Sequence, residues 1–206
     1  MLTVWGRPNS INVQKVLWCC TELGLSPRRI AVGGEFGGNQ DADYVAMNPN
    51  RLVPTLDDGG YQLWESNVIV RYLAHQYGQT NLFPTDVKCR FDAERWMDWQ
   101  ATALWPALRP LFIGLIRTPP EKRDRSLLKE VEERCAAAMS ILDARLADRA
   151  FVSGDTLSMA DIPAGASVYR WYALDIKHPD LPNLRRWYEI LTERPAFRME
   201  VMLPLS

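Results

Sequence analysis

Two different periods of hydrophobic and polar positions run along the first part of the chain. Leu2–Trp5 is a short apolar run of strand type, and residues 9–23 carry Val13, Val16, Leu17, Cys20 and Leu23 at helical spacing, closed by Gly24. Residues 28–32 predict a second strand, followed by a loop holding Gly33, Gly34, Gly37 and Gly38 and a short helix near 41–47. Residues 55–57 and 61–63 flank an Asp57-Asp58-Gly59-Gly60 turn, which is hairpin chemistry because glycine supplies positive φ without a steric clash. A further helix starts at Glu65 or Ser66, buries Val68, Ile69, Tyr72 and Leu73, and stops at Gly78. The order β-α-β-α-β-β-α is a thioredoxin-like plan.

Beyond a polar connector at residues 78–85 only the helical period remains. It shows in four stretches: Ala93, Trp96, Met97 and Leu104; Leu128, Val131, Cys135, Leu142 and Leu146; Ile162, Ala166, Tyr169 and Ala173; and Leu184, Trp187, Tyr188 and Leu191. Pro106 and Pro110 remove backbone donors and should bend the first of these helices, and Pro119-Pro120 should end it. The expected fold class is therefore an α/β N-terminal thioredoxin-like domain over residues 1–80 and an all-α C-terminal helical domain over residues 85–206. A chain of 206 residues can bury a sizeable core in each.

Composition mainly excludes. The 24 Lys and Arg residues are scattered among 25 Asp and Glu, for a net charge of -1, so no basic stripe invites nucleic acid. The opening MLTVWGRPNS lacks a basic and apolar leader, and no apolar run approaches the ~20 residues of a membrane span. A cytoplasmic protein with no membrane partner is expected. The four cysteines, Cys19, Cys20, Cys89 and Cys135, form no CxxC and have no ligand spacing to His75 or His178. They read as reduced thiols, with neither a metal site nor a disulfide framework.

Candidate chemistry lies at helix starts and at one proline. Val53-Pro54 opens a hairpin strand at a position where proline is allowed, with a bond that can be cis. Ser66, at a helix start, is either a simple cap or part of an anion site, because a helix N-terminus offers unpaired N–H groups and partial positive charge. Ser10 reads either as a cap, like Asn9, or as a chemical hydroxyl. A serine hydrolase would need a base and a nucleophile elbow of the form G-x-S-x-G, which is absent. Ser158 and Asp161 form a capping box, with Leu157 and Ile162 as the hydrophobic staple, and so read as structural.

Taken together, Asn48-Pro49 followed by Val53-Pro54 and then Glu65-Ser66, with Ser10, Asn12, Lys15 and Val16 in S-x-N-x-x-(R/K)-V register, resemble the soluble glutathione transferases of the serine type, theta-like and phi-like. Ser158-Met159-Ala160-Asp161 is similar to the (S/T)-x-A-D motif of their helical domains. The resemblance implies a cis Val53-Pro54 bond, with the Val53 backbone pairing with the cysteinyl residue of glutathione. It also implies that Ser66 receives the γ-glutamyl carboxylate and Glu65 the α-ammonium. Relatives often carry Gly and then Gln, Lys or Arg before Val-Pro; here Arg51-Leu52 stands there, with Arg51 supplying charge one position earlier.

The resemblance gives Ser10, with Asn12 nearby, the role of donor to the glutathione sulfur. Lowering a thiol pKa of ~8.5 by about two units makes thiolate the major form at neutral pH, for a differential stabilisation of roughly 2.7 kcal/mol. A hydroxyl hydrogen bond and the helix dipole can supply much of that. Cys19 and Cys20 lie ~15 Å further along the helix, too far to substitute. Trp105 and Arg109 are the candidates for lining an electrophile pocket. Loop residues 33–40 offer no basic side chain for the glycyl carboxylate. The family further implies a homodimer that uses glutathione as cosubstrate without a bound cofactor. A non-catalytic binding or assembly module, or a glutathione-dependent peroxidase or dehalogenase, are the alternatives on the same fold.

Overall fold

The structure, a computed structural model, describes residues 1–78 and 82–206. Its four-stranded sheet has the order β2-β1-β3-β4, with β1 at Leu2–Trp5, β2 at Arg28–Ile30, β3 at Thr55–Asp58 and β4 at Tyr61–Trp64. β1 runs parallel to β2 and antiparallel to β3, with Val4 opposite Leu56, and β3 and β4 form the hairpin over Gly59 and Gly60. The helices of this half are α1 (Ile11–Glu22), α2 (Ala42–Met47) and α3 (Ser66–Tyr77). The connector expected at residues 78–85 includes 79–81, which lie outside the described residues.

The remainder is helical: α4 (Val87–Trp99), α5 (Trp105–Phe112), α6 (Arg125–Arg145), α7 (Asp161–Tyr172), α8 (Pro182–Thr192) and the short α9 (Pro195–Glu200). α9 has too few residues for its period to stand out in sequence. The prolines that were expected to bend the first helix are carried without interrupting it. Wider π turns at Gln100–Leu104 and Ile113–Arg117 flank α5, one ahead of Pro106 and one after Pro110. A π turn re-routes the hydrogen-bond ladder where a donor is missing. The helix stops at Thr118, which is extended, just before Pro119-Pro120.

α1 is enclosed by both halves. It packs on α3 on one side and on α7 and α9 on the other, so Gln14, Lys15 and Trp18 are as buried as its apolar stripe. Gly165 in α7 makes the close approach possible, since a Cβ there would fall 2.9 Å from Trp18 Cη2 and 2.8 Å from Leu191 Cδ1. All four cysteines are unpaired, Cys89 exposed and the others buried. Among the described residues no helix is long and apolar enough to cross a membrane, and no group of three or more His, Cys, Asp or Glu could hold a metal ion.

Candidate active site

The site forms where the start of α1, the turn before β3 and the start of α3 meet the wall made by α5 and the π turn after it. Gly6, between β1 and α1, allows this convergence: a Cβ there would lie 2.4 Å from Val13 Cγ2 and 3.3 Å from Val53 Cβ. The Val53-Pro54 bond is cis. The turn that carries it is held by Tyr44 Oη and Asn48 Nδ2, which donate to the Leu52 carbonyl at 2.6 and 2.9 Å.

A cavity of about 420 Å³ opens here, lined on one side by Ser10, Asn12, Leu52 and Val53 and on the other by Trp105, Arg109, Phe112 and Ile113. A smaller cleft of about 40 Å³ adjoins it, sharing Asn12, Leu52 and Val53 and reaching Pro54, Glu65 and Ser66. Nine of the ten residues singled out from sequence thus line two neighbouring hollows. The tenth, Arg51, does not: its guanidinium donates to Gln40 Oε1 at 3.2 Å, on a backbone with φ 57°.

Ser10 occupies the cap position of α1 with extended dihedrals, yet its side chain makes no capping hydrogen bond. The residue is 9% exposed and lines the larger cavity. At α3 the capping position falls to Glu65, not Ser66, and Glu65 sits at φ 70°, a strained conformation for a residue with a Cβ. The twist leaves Glu65 exposed at the cleft while Ser66 turns inward. The Ser66 hydroxyl donates to Asn12 Oδ1 at 3.2 Å and accepts from Lys15 Nζ at 3.3 Å.

Lys15 is a buried charge behind the start of α3. Its ammonium also donates to Asn67 Oδ1 at 3.2 Å and Gln100 Oε1 at 3.3 Å, all neutral acceptors. Burial drives its pKa down to about 7; Glu65 pulls it up and Arg170 pushes it down by smaller amounts. Gln100, at the start of the π turn, carries the network on to Ser167 Oγ of α7 at 2.9 Å. The start of α3 is therefore wired through Lys15 to the helical domain.

Sequence reasoning missed three charged residues of the cavity, Arg7, Arg117 and Arg170. A signal existed for one of them: Arg170 is the lone charge between Asp161 and Asp175, in a segment otherwise apolar or neutral. Arg7 and Arg117 carry no such mark.

Comparison with known proteins then decides the family. Residues 1–75 match the model of the glutathione S-transferase N-terminal domain, and residues 101–195 that of the glutathione S-transferase C-terminal domain. The chain is 48% identical to glutathione S-transferase GstB of Escherichia coli K12, with all of both chains covered. This protein belongs to the glutathione S-transferase family. The transferase is also similar to the solved theta-class glutathione S-transferase of Xanthomonas axonopodis pv. citri with glutathione bound, at 44% identity and TM-score 0.96, covering 100% of this chain and 99% of that one. Glutathione S-transferase F14 of Arabidopsis thaliana is more distant, at 29% identity over 97% of this chain and 80% of its own.

Proposed function

We propose that this transferase lays glutathione along the cleft and the cavity, holds its sulfur as thiolate beside Ser10, and adds it to a small electrophile seated between Trp105 and Arg109. The observation that carries the reading is the Ser10 hydroxyl: it stands at a helix N-terminus, lines the cavity, and is not consumed by capping. A thiolate there would accept a hydrogen bond from Ser10 Oγ and gain from the partial positive charge of α1. Asn12 would add a second donor, because Ser66 already occupies its Oδ1 and leaves the amide NH2 for the cavity.

In this reading the backbone of Val53, which lines both hollows, pairs with the cysteinyl residue. Ser66 and the start of α3 take the γ-glutamyl carboxylate, and the exposed Glu65 takes the α-ammonium. A carboxylate at Ser66 would also face Lys15 Nζ, 3.3 Å behind the hydroxyl, and draw that lysine back to its charged form. Arg51 lies outside both hollows and contributes at most through Gln40 and the loop. Domain limits at residues 1–80 and 85–206 fit the last element of the first half, α3, ending at Tyr77 and the first of the second, α4, starting at Val87. Family kinship supports a homodimer, and buried unpaired thiols suit a reducing, cytoplasmic compartment.

The test is the thiolate absorbance of bound glutathione in the ultraviolet as a function of pH. The wild type should show a thiol pKa about two units below that of free glutathione, and Ser10→Ala should return it most of the way. A wild-type value equal to that of free glutathione would leave a binding module in place of an enzyme.

A further inference from the structure

The larger cavity is unusually cationic for a chain of net charge -1. Arg7, Arg109, Arg117 and Arg170 all line it, and among the described residues no Asp or Glu does. Arg7 Nη1 donates to Asn9 Oδ1 at 2.5 Å, Arg117 Nη2 to a main-chain oxygen of Ser206 at 3.0 Å, and buried Arg170 to Gln14 Oε1 at 2.6 Å and the Asn9 carbonyl at 3.0 Å. None of these partners is an Asp or Glu side chain; the oxygen of Ser206, the last residue, is the one partner able to carry charge, and it meets Arg117 alone. Burial lowers the pKa of Arg117, and the neighbouring Arg7 and Arg109 lower it further. Arg170 falls to about 10, first by burial, with Arg117 and Arg7 adding to the effect.

Arg109 differs from the other three. It has no hydrogen bond or ion pair among the described residues, and it lies one helical turn beyond Trp105 on the same face of α5. An aromatic body resting against Trp105, Phe112 and Ile113 would bring a substituent to this guanidinium. Arg7 belongs to the opposite side, where its stem covers the glycine loop: a Cβ on Gly34 would fall 2.9 Å from Arg7 Cδ.

We propose that the electrophile this transferase is built for carries a carboxylate beside an apolar, aromatic-sized body, and that Arg109 receives that carboxylate while the body lies against Trp105. The proposal rests on the reading that the glutathione thiolate attacks within this cavity. With an aryl chloride the thiolate sulfur forms a C–S bond to the ring carbon, the C–Cl bond breaks, and chloride leaves with its electron pair. No oxidant or reductant is required. Arg109 is exposed at the cavity, and its unpaired guanidinium favours a carboxylate over an isosteric amide through charge-assisted hydrogen bonds, with fork geometry adding direction.

Two matched pairs of compounds test this in the full chain. Quenching of tryptophan fluorescence without glutathione compares binding of 3-nitrobenzoate and 3-nitrobenzamide; turnover with glutathione compares 4-chloro-3-nitrobenzoate and 4-chloro-3-nitrobenzamide. The benzoates should be preferred by about tenfold at low salt, less at high salt, and Arg109→Gln should lower that ratio by about tenfold, with Arg109→Lys keeping part of it. Equal affinity for benzoate and benzamide in the wild type would overturn the proposal. So would a benzoate preference left intact in Arg109→Gln with a raised KM for glutathione, which would assign the arginine to the glycyl carboxylate. Preferential binding of nitrobenzoate, lost in Arg109→Gln, with no turnover of either chloride would sustain the anion site and sink the thiolate chemistry instead.

Discussion

Ser10 and Ser158 stand at the beginnings of α1 and α7, both nearly shut off from solvent at 9% and 3% exposure, yet their surroundings differ in kind. Around Ser158 every polar group is used. Its N–H and hydroxyl donate to Asp161 Oδ2 at 2.9 and 3.1 Å, its oxygen accepts from the Ala160 N–H at 3.3 Å, and Asp161 Oδ1 accepts from Val152 N–H and Trp187 Nε1 at 2.9 Å each. The capping-box chemistry expected from sequence is there, although the helix proper begins at Asp161 with Ala160 in the cap position. Around Ser10 the polar groups are left open: a hydroxyl without a capping bond, and one turn deeper an ammonium with three long bonds to neutral oxygens. The two buried charges are likewise unequal. Asp161 has four donors at 2.9 to 3.1 Å, Lys15 three acceptors at 3.2 to 3.3 Å. A fully satisfied cluster holds the fold; a partly satisfied one keeps donors in reserve for a ligand.

The contrast is broken most severely at Asp161. Asp161→Ala strands the Trp187, Val152 and Ser158 donors in the core, and urea unfolding should show a loss of about 3 to 5 kcal/mol. A loss below about 1 kcal/mol would mean that the cluster is not what secures the start of α7 against α8. Ser10→Ala should do the reverse: kcat/KM falling by roughly 10- to 100-fold, with unfolding free energy unchanged within about 0.5 kcal/mol, since no capping bond is lost.

Lys15 gives the comparison a pH dependence. Its folded-state pKa, about 7, lies below its ordinary value of 10.5, so between those limits the unfolded chain holds a proton that the folded one lacks. Stability then rises with pH above about 7, and the penalty of burying the charge is felt in full below it. Without glutathione, the unfolding free energy of the wild type relative to Lys15→Met should climb between about pH 7 and 8.5 by at most ~1.4 kcal/mol per unit. Cys19 and Cys20, held protonated by burial, slope the other way at higher pH, but in both proteins alike, so the difference isolates the lysine. A flat difference from about pH 6 to 8.5 would show that the lysine stays charged in the fold. The smallest change is expected for Ser158→Ala, about 1 kcal/mol by thermal or urea unfolding, because Asp161 keeps its other donors.

Much of this architecture is legible in the sequence. The strands, the Asp-Gly hairpin and the long helices follow from local period and turn chemistry, which act over a few residues. Motif spacing singles out Ser10, Asn12, Val53, Pro54, Glu65 and Ser66, and the cavity and cleft gather all six. Arg51 stands apart from both hollows because a side chain's direction depends on a left-handed backbone and a neighbour, Gln40, that no pattern announces.

What the sequence determined by itself, then, is which segments fold and which short-range chemistry each can offer, because capping, turns and amphipathic period are local. Tertiary structure alone decided which of the two serines is free. It also decided that Lys15 is buried among oxygens from α3 and the π turn at Gln100, and that four arginines, from a loop, α5, the turn after it and α7, share one cavity. Burial and the summed field of distant charges depend on packing across the whole chain, and no window of sequence contains them.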